Sequence, residues 1–117
     1  MSNPSKRKGS KWETDLRTYA LDLGYDITRL STNGTKDIGD LALRAIGKHY
    51  VIEAKAARSL DLAGWVTEAA IEADNYATLN RLDRALVVPL IVAKRRMASV
   101  GRAYVIQELG WWLDDHR

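Results

Sequence analysis

The sequence predicts an α/β fold: a mixed central β-sheet flanked by helices, in the order αβββαββ. Two observations carry this expectation. Apolar residues recur at helical spacing in two stretches, Trp12 to Leu23 and Leu62 to Ala77. Short runs rich in β-formers occupy the interval between those stretches and the segment after them. A long helix between strands is a crossover connection, which joins parallel strands and leaves helices packed on the sheet.

The elements follow in order. Trp12, Leu16, Tyr19, Ala20 and Leu23 line one face of a first helix starting near Lys11, and Gly24 stands where a left-handed stop is wanted. Tyr25, Ile27 and Arg29 alternate with polar residues as in a half-buried strand. Ser31 to Thr35 is loop chemistry. Ile38 to Ile46 reads as a second strand, Gly47-Lys48 as a hairpin turn, and His49 to Ala56 as a third strand antiparallel to the second. Asp61 is placed to cap a long helix whose apolar positions run from Leu62 to Ala77. Ala85 to Val92 is the apolar run of a strand covered on both faces, with Pro89 calling for an edge position or a bulge. Ala103 to Glu108 is the last strand, and Gly110-Trp111-Trp112-Leu113 follows it.

At 117 residues the chain suits one compact domain. Its 46% hydrophobic and 28% charged residues exclude fibrous and wholly disordered classes. With no cysteine there is neither a disulfide framework nor a thiolate metal site, so a metal would be held by oxygen or by the two histidines, which points toward a hard cation such as Mg²⁺. No apolar run approaches the roughly 20 residues of a membrane span, and SNPSKRKGSK is not a signal peptide. The expectation is a cytoplasmic protein without membrane association. Lys6, Arg7, Lys8 and Lys11 make residues 1–11 a basic segment with no acid, read as a flexible arm ahead of a single domain over 12–117. Such an arm suits a phosphate backbone; the alternative is a solubilising tail.

The stretch with chemistry in it is Asp37-Ile-Gly-Asp40, followed by Val51-Ile-Glu53-Ala-Lys55. Residues two apart on a strand share a face, so Glu53 and Lys55 point one way and Ile52 and Ala54 the other. A hairpin brings Asp40 to the same face. Two carboxylates and an ammonium gathered there are costly unless compensated, and a divalent cation compensates them. Phosphodiester hydrolysis is the reaction that suits this set. The alternative is a solvated salt-bridge patch on an open sheet face.

Here the sequence resembles the PD-(D/E)XK nucleases, and among them the small Holliday-junction resolvases of archaea and their phage-encoded relatives. The matching segments are Lys8-Gly-Ser-Lys-Trp-Glu13, Gly24-Tyr-Asp-Ile-Thr-Arg29, Asp40-Leu-Ala-Leu and Ile52-Glu53-Ala54-Lys55. The resemblance implies a restriction-endonuclease-like core, Asp40, Glu53 and Glu13 as ligands of Mg²⁺ (with Mn²⁺ as a substitute), and Lys55 as the catalytic lysine. It implies branched DNA as substrate, a homodimer making paired nicks, and a cellular or phage origin. Other nuclease activities on duplex, flap or single-stranded DNA, and a catalytically silent DNA-binding module, are the competing expectations. DNA contacts are expected from Lys6, Arg7, Lys8, Lys11, Arg29, Ser31, Thr32, Thr35 and Lys36, and from Lys94-Arg95-Arg96. Glu68 and Glu72 are accessory candidates that fit a solvated helix face equally well. The chain departs from the family pattern in having Gly39, not proline, before Asp40. Asp37 competes for the motif position but, three residues away on a strand, would face the opposite side.

Overall fold

A computed structural model describes residues 4–31 and 36–117, with the backbone alone for 4–7. Helix α1 (Pro4–Asp22) starts well before Lys11, so the expected flexible arm is helical over its described part. It ends as anticipated. Gly24 takes φ +90°, and the Tyr25 N–H returns to the Ala20 carbonyl at 3.0 Å.

Five strands form one sheet in chain order: β1 (Asp26–Arg29), β2 (Leu41–Ala45), β3 (Lys48–Lys55), β4 (Val87–Ala93) and β5 (Tyr104–Ile106). The β3–β4 pair is parallel and the other three are antiparallel, so the sheet is mixed. Helix α2 (Leu62–Leu79) makes the crossover between β3 and β4, and Asp61 caps it by accepting from the Gly64 N–H at 3.2 Å. A third helix, α3 (Leu109–Asp115), extends the expected order to αβββαββα.

Three expectations shift in detail. The second strand starts at Leu41, because Gly39 (φ +95°) turns the chain just before it. The β2–β3 turn is Ile46-Gly47, both at positive φ, one residue earlier than expected. Pro89 does occupy a locally unpaired edge: β5 pairs only with Ile91–Ala93, and the Pro89 carbonyl accepts from Gln107 Nε2 instead.

Alternation along β3 organises the core. Ile52 and Ala54 face α1, packing with Trp12, Leu16, Ile27, Leu41 and Val92. Val51 faces α2, with Ile38, Ala42, Ala73, Tyr76, Ala77 and Val87. Trp12 also satisfies its indole N–H on the Val92 carbonyl at 3.2 Å, pinning α1 to β4. By the same alternation Glu53 and Lys55 point toward α2. At the other end of β3, Lys48 and Tyr50 both grip the Asp115 carboxylate, at 2.7 and 3.0 Å, and anchor α3.

Candidate active site

The site begins with the turn that delivers Asp40. A Cβ on Gly39 would lie 2.6 Å from Val51 Cγ1, and the φ of +95° is closed to proline, whose ring holds φ near −65°. The backbone at this position therefore admits glycine and excludes proline. Asp40 is then locked between two strands. Its N–H donates to the Ile52 carbonyl at 3.0 Å, its carbonyl accepts from Leu30 at 2.9 Å, and its Oδ2 accepts from the Ala54 N–H at 2.8 Å. Burial, and then the negative charge of Glu53, push its carboxyl up to about 7. The Ala54 N–H opposes that rise, and Glu13 and Asp37 add to it.

Glu53 and Lys55 share the α2 face as the strand period requires. Glu53 is only 6% exposed, which removes the solvated-patch alternative. Lys55 Nζ lies 3.3 Å from Glu53 Oε1 and 3.0 Å from Glu68 Oε2. Burial works against the ammonium, but the pairing with Glu68 and Glu53 outweighs it and raises the lysine above its ordinary value. Burial also raises Glu53, against the opposing pull of its neighbours Glu72 and Lys55.

Glu72 is the residue least like its expectation. It is 1% exposed, so the solvated-face reading fails for it, whereas Glu68 stays partly exposed and ion-paired. Burial, and then Glu53 and Asp37, push Glu72 up to about 11. Glu53 Oε2 and both Glu72 oxygens are buried without any hydrogen-bond donor. Buried carboxylates in that condition either hold protons or face a cation.

Asp37 also differs from expectation. Because residues 37–39 precede the strand, strand alternation does not apply, and ligand oxygens of Asp37, Glu68 and Glu72 lie within 4.8 Å of one another. The expected trio of Glu13, Asp40 and Glu53 is not drawn that tight. Glu13 sits on α1 with its Oε1 3.4 Å from Arg29 Nε. Arg29 further donates to Thr14 Oγ1 and to Ser10, so the expected phosphate contact is engaged with α1.

The remaining DNA candidates distribute unevenly. Lys94 follows β4 directly beside the end of β3, its N–H bonding the Lys55 carbonyl at 2.9 Å, and its ammonium stands 5.9 Å from the Trp12 ring. Arg95 covers Tyr104, and Arg96 is exposed. Lys8 is exposed and lines a cleft with Arg58, a cation the sequence reading passed over. Lys11 pairs with Asp15 at 2.9 Å; Ser31 and Lys36 are exposed. Thr32, Thr35 and the side chains of Lys6 and Arg7 lie outside the described residues. Among the described residues no helix is long and apolar enough to cross a membrane.

The donorless carboxylate oxygens and the all-oxygen donor set fit a hard divalent cation. No protein-family model matches the chain, and no curated protein does. Among solved structures it is similar to Archaeoglobus fulgidus Hjc, a Holliday junction resolvase from an archaeal hyperthermophile. That likeness covers 90% of this chain and 93% of the other, with a TM-score of 0.53 and 17% identity. It is a likeness of fold: the mixed sheet and its helices form a core like that of the archaeal resolvase.

Proposed function

We propose that the chain is a divalent-metal-dependent DNA endonuclease that resolves four-way junctions by paired nicks. The observation that carries this reading is the convergence of Asp40, Glu53 and Lys55 at one end of β3, with buried carboxylate oxygens that no donor satisfies. The resolvase-like core supports it.

In this reading Asp40 and Glu53 hold the cation, with Glu13 completing its surroundings directly or through water. When bound, Mg²⁺ or Mn²⁺ supplies Lewis-acid chemistry, easing deprotonation of a water and offsetting charge on the scissile phosphate. Lys55 is kept protonated by Glu53 and Glu68 and presents its ammonium to the charge that develops on the phosphoryl oxygens. The Ala54 N–H holds Asp40 in place before substrate arrives. Lys94, beside this end of the sheet, and the exposed Arg96 that follows it position the backbone without reading sequence. Two coordinated cuts on a two-fold junction require two active sites, so a homodimer is part of the proposal.

The test is cleavage of a labelled four-way junction and a matched linear duplex, with Mg²⁺, Mn²⁺ or EDTA. Paired metal-dependent nicks confined to the junction, abolished by Asp40→Asn, Glu53→Gln and Lys55→Met with DNA binding kept, are the expected result. Equal cutting of both substrates leaves a general nuclease, and binding without cutting leaves a silent module.

A further inference from the structure

We propose that Asp37, Glu68 and Glu72 form a second divalent-cation site, beside the one assigned to Asp40 and Glu53. The proposal deepens the nuclease reading and rests on it for the role of the first site.

Three observations carry it. The ligand oxygens of these three acids already lie within 4.8 Å of one another, a spacing one hard cation can bridge. Glu72 is 1% exposed with both oxygens lacking a donor. Glu53, which is outside the trio and 6% exposed, also has a buried oxygen without a donor, Oε2, and its carboxyl neighbours that of Glu72. Lys55 does not meet this need, because its contacts are with Glu53 Oε1 and Glu68 Oε2. A proton shared between Glu53 and Glu72 would serve two of the three oxygens and leave the third without a partner.

The scaffold holds Asp37 in place without a cation. Asp37 Oδ1 accepts from the Gly39 N–H at 3.0 Å, and Asn75 Nδ2 donates to the Asp37 carbonyl at 2.8 Å. Glu68 and Glu72 are one helical turn apart on α2, a spacing at which like charges repel unless something lies between them. Glu72 Oε2 lies 3.6 Å from where a Gly39 Cβ would stand, so the glycine that turns the chain also leaves room beside this carboxylate.

The experiment is a Mn²⁺ titration of the full chain without DNA, to millimolar free metal, with bound ions counted by electron paramagnetic resonance. The wild type is expected to bind two ions per chain. Asp37→Asn, which keeps the acceptor for Gly39, and Glu68→Gln should each bind one, with unfolding profiles confirming that both fold. Asp40→Asn should also bind one, and combining it with Asp37→Asn should abolish binding. One ion per chain in the wild type, or two in Asp37→Asn and Glu68→Gln, overturns the second site. Junction cleavage measured on the same samples separates the two ideas. Metal-dependent cutting with one bound ion sinks the second site alone, and two bound ions without cutting sink the nuclease reading alone.

Discussion

Removing metal should make this protein less stable as the pH rises, the reverse of the behaviour produced by paired carboxylates. Asp40 is the group from which the magnitude is worked. Its carboxyl is raised from 3.8 to about 7, first by burial and then by Glu53. A carboxyl whose folded pKa lies above its unfolded value favours folding while it is protonated in both states, and that contribution disappears as the pH climbs to the folded value. The window is therefore about pH 4 to pH 7. At about 1.4 kcal/mol per pH unit, the part lost between about pH 5 and pH 8 is near 3 kcal/mol, and partial solvent contact of the carboxyl trims it to about 2 kcal/mol. Glu72, raised by its burial and by Glu53, acts in the same direction. Urea unfolding in EDTA at the two pH values measures the difference. Asp40→Asn should make the profile less steep and exceed the wild type in stability at about pH 8. Saturating Mg²⁺ should restore the wild type there, by roughly 3 kcal/mol at a hundredfold excess over Kd. Stability that is flat, or that rises with pH in EDTA, would refute the reasoning, because it would mean that the buried acids are not held against their own charge.

Three further outcomes follow from local geometry. Gly39→Ala should cost about 2–4 kcal/mol in chemical denaturation and should impair cleavage as well, since the new Cβ meets Val51 at 2.6 Å on a backbone of positive φ next to Asp40. Ile46→Asn should stabilise the fold by about 0.5–1 kcal/mol, measured as a rise in Tm, because a β-branched residue at φ 49° that is 81% exposed has strain to lose and little burial to forfeit. Asp115→Ala should cost about 2–4 kcal/mol with the metal site intact, since it strands Lys48 and Tyr50 together; a matching loss in Mn²⁺ affinity would show that α3 is not independent of the site.

The sheet and its helices were legible because their signals are local. Gly24, Asp61 and the apolar run from Ala85 declare a helix stop, a helix cap and a covered strand without reference to the rest of the chain, although the strand itself begins at Val87. The pair Glu53 and Lys55 was legible for the same reason, since a period of two puts them on one face. What escaped depends on single backbone angles or on distant neighbours. The φ of Gly39 ends the strand at Leu41 and redirects Asp37, which strand alternation had sent the other way. Glu72 carried a usable sign: Trp65, Ala69, Glu72 and Tyr76 fall at i, i+4, i+7 and i+11, so the acid sits inside the buried stripe of α2. Arg29 looked free for phosphate because its partners Ser10, Glu13 and Thr14 lie on α1, distant in sequence and brought to it only by the packing of that helix on β1.

The unpaired stretch of β4 has a consequence for how molecules of this protein can meet. A strand edge with free N–H and C=O groups invites another chain to extend the sheet, the usual seed of aggregation. Here Pro89 has no N–H to offer, Gln107 occupies its carbonyl, and α3 lies alongside, tied down through Asp115. Sheet continuation is blocked along that side even though β5 covers only its far end. Two copies approaching there would have to recognise each other through side chains, whose identity selection can tune, and not through the backbone, which every chain shares.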